Sequence, residues 1–497
     1  MSTQQKLVTL LVAAGCLLGT ISQLSAQNVG DALRYIDWSP SGTARFMATG
    51  GALGPLGADV SVASTNPAGI GFFRRSEFTL TPAFFLSSTN SRLTDERSNL
   101  IQENRSNLNF HNLGVVITSR PLSKKWKNVN FGITLNHLAN FNRAFTFEGQ
   151  TVGSIAEAYQ ERANGFAGVG AFDTRLALDA GVLYDFDENG VYDIDYELNR
   201  DAQLFRRQNV TEEGSMSELA FTLAGNYDEK LAIGVTIGVP IINYSVAKTY
   251  VEQDDTDGSG GEVPYFESLE LQENVRTTGS GINAKLGLIF RASQALRISG
   301  SVHTPTALSL EDNFDSRLIN NFYEDEEEQG AFLGLDESAE GFFDYRLNTP
   351  WRYTGGLGFI FGRNGFLSAE VEYADYTNAN FDYDGFISDQ ERVNNDIQNQ
   401  LADMLQLRLG GEFAMDNWRF RLGYNVRSAP FVNDETYRNQ ISGGIGYRLE
   451  GFFVDLGYRY QSTDEFYYPY VVEEYPVQEV ENESSISQIA LTVGAKF

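Results

Sequence analysis

From Ser76 onward the chain alternates apolar and polar residues with a period of two, the pattern of a strand whose two faces meet different surroundings. In the last segment Ile489, Leu491, Val493, Ala495 and Phe497 share one face, while Gln488, Ala490, Thr492, Gly494 and Lys496 share the other. Trp418, Phe420, Leu422, Tyr424 and Val426 alternate in the same way with Arg419, Arg421, Gly423, Asn425 and Arg427, and the stretch from Phe452 to Tyr460 repeats it. A soluble sandwich would not turn three arginines into its core, so the apolar face must look outward into lipid and the polar face inward. The alternation predicts strands at 76–88, 108–120, 129–146, 217–227, 230–251, 277–290, 295–310, 351–361, 366–385, 404–414, 418–428, 439–448, 452–463 and 485–497. About 14 strands is an even number, as a closed bacterial barrel requires.

The connections alternate too. Tight links at Asp228-Glu229, Ala292 to Gln294, Gly362 to Gly365, Asp416-Asn417 and Glu450-Gly451, with a longer one at Pro121 to Asn128, are interleaved with excursions at 89–107, 147–216, 252–276, 311–350, 386–403, 429–438 and 464–484. Outer-membrane barrels have short periplasmic turns and long external loops, which places both termini on the periplasmic side. The C-terminal strand ending at Phe497 is then the segment that barrel assembly machinery would engage, and outer-membrane lipid surrounds the wall.

Composition sharpens this picture. An aromatic content of 13%, with 35 Phe, 24 Tyr and 48 Gly, suits a wall with aromatic girdles outside and small groups inside. The net charge of −29 repels phosphate and argues against nucleic acid. Much of the acid sits in the excursions, as in Glu324-Asp325-Glu326-Glu327-Glu328 and Asp254-Asp255-Thr256-Asp257, and reads first as a solvated surface, with divalent-cation bridging as the alternative. After the first 26 residues no stretch approaches the roughly 20 apolar residues a membrane helix needs. Those first 26 carry Lys6, an apolar run from Leu7 to Gly19 and a small-residue exit at Ser25-Ala26, the layout of a signal peptide with cleavage near Ala26. Cys16, the one cysteine, sits in a run that lacks the Leu a lipoprotein signal uses, and a chain cut after it has no disulfide or Cys metal site.

Residues 27–75 do not alternate. They are rich in Gly, Ala and Ser, with turns at Ser39-Pro40, Gly54-Pro55 and Asn66-Pro67. About 50 residues make a poor independent core, but they are the right size for a plug inside a lumen. A periplasmic tail is the alternative. The expected division is a signal at 1–26, a hatch at 27–75 and a barrel at 76–497.

Here the chain resembles a known family. Ser41-Gly42-Thr43-Ala44-Arg45, Gly50-Gly51-Ala52, Ala58-Asp59 and above all Asn66-Pro67-Ala68-Gly69 are similar to the N-terminal hatch of the FadL-type outer-membrane transporters of long-chain fatty acids and aromatic hydrocarbons. His303-Thr304-Pro305-Thr306, Thr349-Pro350-Trp351, Arg421-Leu422-Gly423-Tyr424 and Ala429-Pro430 resemble its strand-end phrases, with lower specificity. The resemblance implies an all-β transmembrane barrel of 14 strands with a hatch in the lumen. It also implies passive uptake of hydrophobic or amphipathic molecules, with lateral release at a distorted strand and no cofactor.

Candidate ligand groups follow. The excursion 147–216 is apolar around Ile155 to Tyr159, Phe166 to Phe172 and Leu176 to Leu178, which points to Tyr159, Phe166 and Phe172 as capture residues or to helices packed over the mouth. Inward Arg408, Arg419, Arg421, Arg427 and Arg459 match a carboxylate head group, although Glu370, Glu372, Glu412 and Asp455 also face inward and a network of wall charges is the competing account. Asp185, Asp187, Asn189 and Gly190 match the opening of a calcium loop, but position twelve is Tyr196, with Glu197 one place late. His111, His137 and His303 fall on separate strands without a nucleophile elbow, and even His303 beside Ser299 or Ser301 makes a weak case for an enzyme. Two alternatives to the hydrophobic-uptake reading are an adhesion or interaction protein working through its acidic loops, and a porin for polar solutes, which a plug disfavours.

Overall fold

A computed structural model describes residues 27–94, 98–123, 125–165, 172–194, 203–254, 263, 266–323, 332–472 and 478–497. The expected signal segment with Cys16, the acidic runs at 324–328 and 255–257, Phe166, Tyr196 and Glu197 lie outside these residues. Among the described residues no helix is long and apolar enough to cross a membrane.

Strand-forming alternation produces one closed antiparallel sheet. β1 (Glu77–Leu93) and β2 (Ile101–Ser119) lead to a third stave in two pieces, β3 (Trp126–Asn140) and β4 (Arg143–Val152). β5 (Gln203–Tyr227), β6 (Leu231–Gln253) and β7 (Phe266–Arg291) run unbroken. The next three staves are split again: β8 (Leu296–His303) with β9 (Ala307–Tyr323), β10 (Phe332–Asn348) with β11 (Arg352–Ile360), and β12 (Gly365–Asp375) with β13 (Asn380–Tyr383). β14 (Asp403–Met415), β15 (Trp418–Ser428), β16 (Tyr437–Arg448), β17 (Phe452–Tyr467) and β18 (Val480–Lys496) complete the wall. Paired pieces continue one column, so the 18 strands make 14 staves. β18 closes on β1 from Glu77↔Lys496 to Leu93↔Val480, and Phe497 N–H donates to the Ser76 carbonyl at 3.0 Å.

Two of the breaks have an evident cause. Pro305 and Pro350 lack the N–H a ladder needs, so the chain leaves the sheet at Thr304 to Thr306 and again at Thr349 to Trp351. The breaks lie side by side and mend each other, Thr306 N–H donating to Thr349 Oγ1 at 2.9 Å and Thr349 N–H to the Thr306 carbonyl at 3.0 Å.

Every predicted strand lies on a stave, but several staves are longer than the pattern suggested. Residues 311–350, read as an excursion, are mostly the outer half of β9 and all of β10, and the excursion 147–216 gives up its flanks to β4 and β5. The reason is an inversion of phase. Near the turn end of β7, Ile282, Leu286, Leu288 and Phe290 face outward and are exposed, while Asn283 and Lys285 face inward. Toward the loop end, Leu269 and Leu271 are the buried, inward residues, and Asn274 and Arg276 look out. The wall there has left lipid and faces water outside and apolar packing inside. Aromatic pairs mark the turn-end rim of the lipid-facing band: Trp126–Tyr227, Phe359–Phe361 and Trp418–Tyr447, with ring centroids 4.8 to 5.4 Å apart.

Inside the wall lies the N-terminal segment. α1 (Val29–Ile36) starts in a capping box, Asn28 and Asp31 each accepting the other's backbone N–H. α2 (Ala44–Ala48) and two 3-10 turns, Val60–Ser64 and Pro67–Phe72, follow. At the loop end α3 (Ile155–Asn164), α4 (Phe172–Asp179) and α5 (Ile387–Gln400) cover the opening.

Candidate functional site

The N-terminal segment is seated by backbone fit. Gly410 on β14 and Gly423 on β15 are cross-strand partners, and a Cβ on either would meet the segment's backbone, at 2.3 Å from the Thr49 carbonyl oxygen and 2.2 Å from Gly50 N. Gly50 and Gly51 themselves adopt φ of +63° and +78°, the left-handed region that favours glycine. Across the lumen, Gly234 and Gly287 receive the Asn66-Pro67-Ala68-Gly69 turn in the same manner, with Cβ positions 2.4 Å from Pro67 and 2.1 Å from Asn66 Oδ1. Asn66 caps its 3-10 turn by accepting Ala68 N–H at 3.2 Å and donates to the Leu288 carbonyl at 3.4 Å. Asn128 and Asn130 of β3 donate to the carbonyls of Gly71, Phe73 and Ile70 at 2.6 to 3.0 Å. Buried carbonyls need such donors, and the inward amides of the wall supply them.

Above this seat the lumen holds two apolar clusters. The mouth cluster joins α3 and α4 to the tops of the staves through Phe145, Phe147, Tyr159, Leu183, Tyr250 and Phe266. Tyr159 is buried there with Arg162 stacked on its ring at 5.0 Å, and Phe172 opens α4. The mid-lumen cluster gathers α1 and Trp38 with Leu308, Tyr345, Phe381, Tyr383 and Ile397. Tyr35 of α1 meets Phe141 edge-on at 6.2 Å, and Phe141 meets Tyr244 at 5.5 Å.

A belt of charge crosses the mid-lumen. Arg352 and Arg408 share Glu372 at 2.7 and 2.5 Å; Arg143 bridges Glu212 and Glu465; Arg427 and Arg438 converge on Asp37, and Arg438 also approaches Glu465 at 3.8 Å. Five guanidiniums thus share four carboxylates. Asp37 accepts from Arg438 Nη1 at 2.8 Å, from Tyr376 Oη at 3.0 Å and from Arg427 Nη1 in a short bond. Burial alone would raise the pKa of Asp37, but the Arg427 and Arg438 guanidiniums outweigh it and hold the carboxyl below the usual carboxylate range. Arg427 Nη2 donates to the Trp38 carbonyl at 3.3 Å, and Arg352 stacks on the Trp38 ring at 4.1 Å while donating to the Ile36 carbonyl.

The five arginines singled out from sequence therefore separate. Arg408 and Arg427 belong to the belt, whereas Arg421 pairs with Glu412 and Asp455 at 2.7 Å below it. Arg419 donates to the carbonyls of Asp416 and Trp418 at the turn end. Arg459 binds Gln488 and, at 3.0 Å, Ser41 Oγ, and among the described residues it has no carboxylate partner. Asp37, Arg143, Arg352 and Arg438 had escaped notice. The inward parity of their strands signalled Arg352 and Arg438, but nothing in the local sequence links them to Asp37.

The wall has a seam between β2 and β4. The β2–β3 ladder runs from Ser119↔Val129 to Asn112↔Asn136 and ends there. Beyond it β2 pairs with β1 alone, and β4 pairs with β5 alone. The chain between β3 and β4 turns at Phe141-Asn142, and β4 tucks Phe145 and Phe147 inward. Side chains span the seam: Asn140 to Asn107 at 3.3 Å, Thr146 to Glu103 at 3.2 Å, and Arg105 to Thr211 at 3.0 Å. A concavity of about 310 Å³ opens there, lined by Asn107, Asn109, Asn142 and Gly214 among others. A larger one, about 1090 Å³, is lined mainly by residues facing away from the lumen, such as Glu213, Arg276 and Asp315, and lies apart from the apolar column.

The register irregularity at Thr81/Pro82 turns His111 of β2 inward beside His137 of β3, so the two separate strands predicted for them are neighbours and the rings stack 5.5 Å apart. His303 accompanies neither; its Nε2 lies 2.6 Å from the Thr65 carbonyl oxygen. Asp185 accepts the backbone N–H groups of Asn189 and Gly190 at 3.0 and 2.8 Å, closing its own turn. Among the described residues no group of three His, Cys, Asp or Glu side chains is arranged to hold a metal.

No protein-family model and no curated protein matches the chain. Solved structures do. A Pseudomonas aeruginosa FadL homologue aligns over 93% of this chain and 98% of its own, at 13% identity and a TM-score of 0.53. The Pseudomonas putida toluene transporter TodX aligns over 92% and 98%, at 14% identity and a TM-score of 0.50.

Proposed function

Starting from an outer-membrane β-barrel with the FadL-type fold, we infer that the protein takes up hydrophobic or amphipathic small molecules from outside the cell without an energy source, and releases them sideways into the membrane. In this reading the turn end and both termini face the periplasm, and residues 27–75 are the hatch. The loop end faces outward, where α3 and α4 cover the mouth cluster. The observation that carries the reading is the conjunction of an apolar column inside the wall with a seam beside it. An apolar molecule leaves water for such a column at about 25 cal/mol per Å² buried, and leaves the column for lipid at little cost. The hatch blocks straight passage, and at the seam between β2 and β4 no backbone ladder has to break.

The test is a reversible lock. Asn107 and Asn140 face each other across the seam, so Asn107→Cys with Asn140→Cys joins β2 to the third stave. Uptake of labelled oleate or toluene by proteoliposomes is expected to fall at least about tenfold when the pair is oxidised and to recover with reductant. Full uptake through the locked barrel would remove the lateral route. Retention of nothing apolar by purified protein soaked in mixed fatty acids and hydrocarbons would remove the transport reading itself.

A further inference from the structure

We propose that a trough on the outer surface of β5, β6, β7, β9 and β10 is a binding site for the uncharged saccharide head of a glycolipid in the outer leaflet. The proposal goes beyond uptake and needs no ligand in the lumen; it takes from that reading only the outward placement of the loop end.

Three features carry it. The first is shape. The two concavities of the wall share Glu213 and Ser245, so they form one trough that starts at the seam, beside Asn107 and Asn109, and crosses the sheet to Glu340 and Phe342 on β10. The second is height. On β6 and β7 the lipid-facing run ends at Ile241 and Ile282, both exposed, and the next outward residues are Asn243 and Ser280. Arg276 stands six residues beyond Ile282 on β7. At about 3.3 Å per residue and a tilt of about 40°, that is about 15 Å above the lipid band. A phospholipid head group reaches only about 5–8 Å beyond the hydrocarbon, so the far half of the trough lies at the level of lipid-borne sugars.

The third feature is chemistry. Asn107, Asn109 and Asn142 line the seam end, and Asn243, Asn274 and Asn313 continue the row. A carboxamide both donates and accepts, as a sugar hydroxyl does. Both polar atoms of Asn109 are shielded from water and have no hydrogen-bond partner among the described residues, a demand that a ligand hydroxyl meets. Phe342, 73% exposed on an otherwise polar face, offers a flat apolar surface on which the C–H face of a pyranose stacks. The lining carboxylates Glu213, Asp315 and Glu340 outnumber the lining cation Arg276, so phosphate and carboxylate heads are repelled while neighbouring hydroxyls find acceptors. The tails of such a lipid lie below the trough, along exposed Leu108, Phe110 and Ile241.

The experiment places the full-length protein in nanodiscs holding equal amounts of phosphatidylglycerol and digalactosyl diacylglycerol, and counts the lipids it retains by native mass spectrometry. The native protein is expected to retain the galactolipid over phosphatidylglycerol by at least about fivefold. Phe342→Ala combined with Asn313→Ala, both exposed and remote from the apolar clusters, is expected to bring that ratio within about twofold of unity while keeping the heat-dependent gel shift of a folded barrel. Phe386→Ala, an exposed aromatic at the loop end outside the trough, is the control and should keep the native ratio. Free digalactosyl glycerol, the same head without tails, should not displace the lipid at equal concentration. No preference in the native protein, a preference that survives the double substitution, or an equal loss in Phe386→Ala overturns the site. Displacement by the free sugar at equal concentration assigns the trough to a soluble glycan and overturns the lipid as its occupant. None of these outcomes bears on uptake through the lumen, which the locked seam tests separately.

Discussion

Gly423→Ala tests whether backbone fit holds the hatch. The added methyl group would sit 2.2 Å from Gly50 N, 2.5 Å from Ser442 Oγ and 2.6 Å from the Thr49 carbonyl carbon. Contact distance for such atoms is about 3.5 Å, so the hatch must retreat by roughly 1 Å or the wall must bulge. The wall is fixed by ladders on both sides, from Gly410↔Gly423 and Gly423↔Ser442 outward, so the hatch yields. Overpacking of this kind costs about 1–3 kcal/mol. Gly443→Ala, one residue along on the neighbouring strand, is the control: nothing approaches its methyl closer than 3.5 Å. In liposomes loaded with a small dye, Gly423→Ala is expected to leak several times faster than the native protein and Gly443→Ala to match it, with both barrels keeping the heat-dependent gel shift of a folded wall. Equal tightness of the two variants would show that the glycine track is incidental.

Other expectations are simpler. Asn66→Ala removes a 3-10 cap and the bond to Leu288, costing about 1 kcal/mol, and with Pro67→Ala it should raise dye leak modestly. Unchanged permeability would remove the motif from the seal. Glu252→Ala strips the carboxylate that accepts from Ile155 N–H, Ser154 Oγ and Tyr250 Oη and leaves fully buried Arg206 unpaired, a change worth about 3–5 kcal/mol. Faster proteolytic nicking around α3, with the wall intact, is the readout. Because Asp37 is held below its ordinary pKa of 3.8, its contribution to docking α1 is complete above that value and is lost as pH falls further. Maleimide labelling of Asp31→Cys on α1, taken relative to a free thiol at the same pH because the thiolate is the reacting form, should therefore stay flat from pH 5 to 8, and a decline in protection already near pH 5 would contradict the assignment.

The lipid-facing part of the wall was legible in the sequence, because a strand between lipid and an aqueous lumen must alternate, and residues such as Phe420, Arg421 and Leu422 write that directly. Short turns with left-handed residues, Asp228-Glu229 and Asp416 among them, were equally plain. The loop-end halves were not. There Leu269 and Leu271 point inward, and a reader expecting apolar residues outside sees the pattern dissolve into a loop. The seam at Asn112↔Asn136 was invisible for a different reason: which neighbour a strand bonds is a property of the closed sheet, and β2 reads the same with or without a partner. Likewise Asp37 and Arg438 meet across 401 positions of chain. The arginines could be found by parity, but their shared partner could not.

The change of phase along β7 has a consequence for how such a chain can vary. Between Leu271 and Ile282 the strand passes from one solvent to the other while keeping its hydrogen-bonded neighbours. Loss or gain of a single residue in that interval would leave one half correctly oriented and turn the other inside out, since the side-chain period is two. Removal of two adjacent residues shortens the wall but preserves both orientations. Length variation here should therefore come in even steps, and the crossover acts as a reading frame for a protein that is folded for two solvents at once.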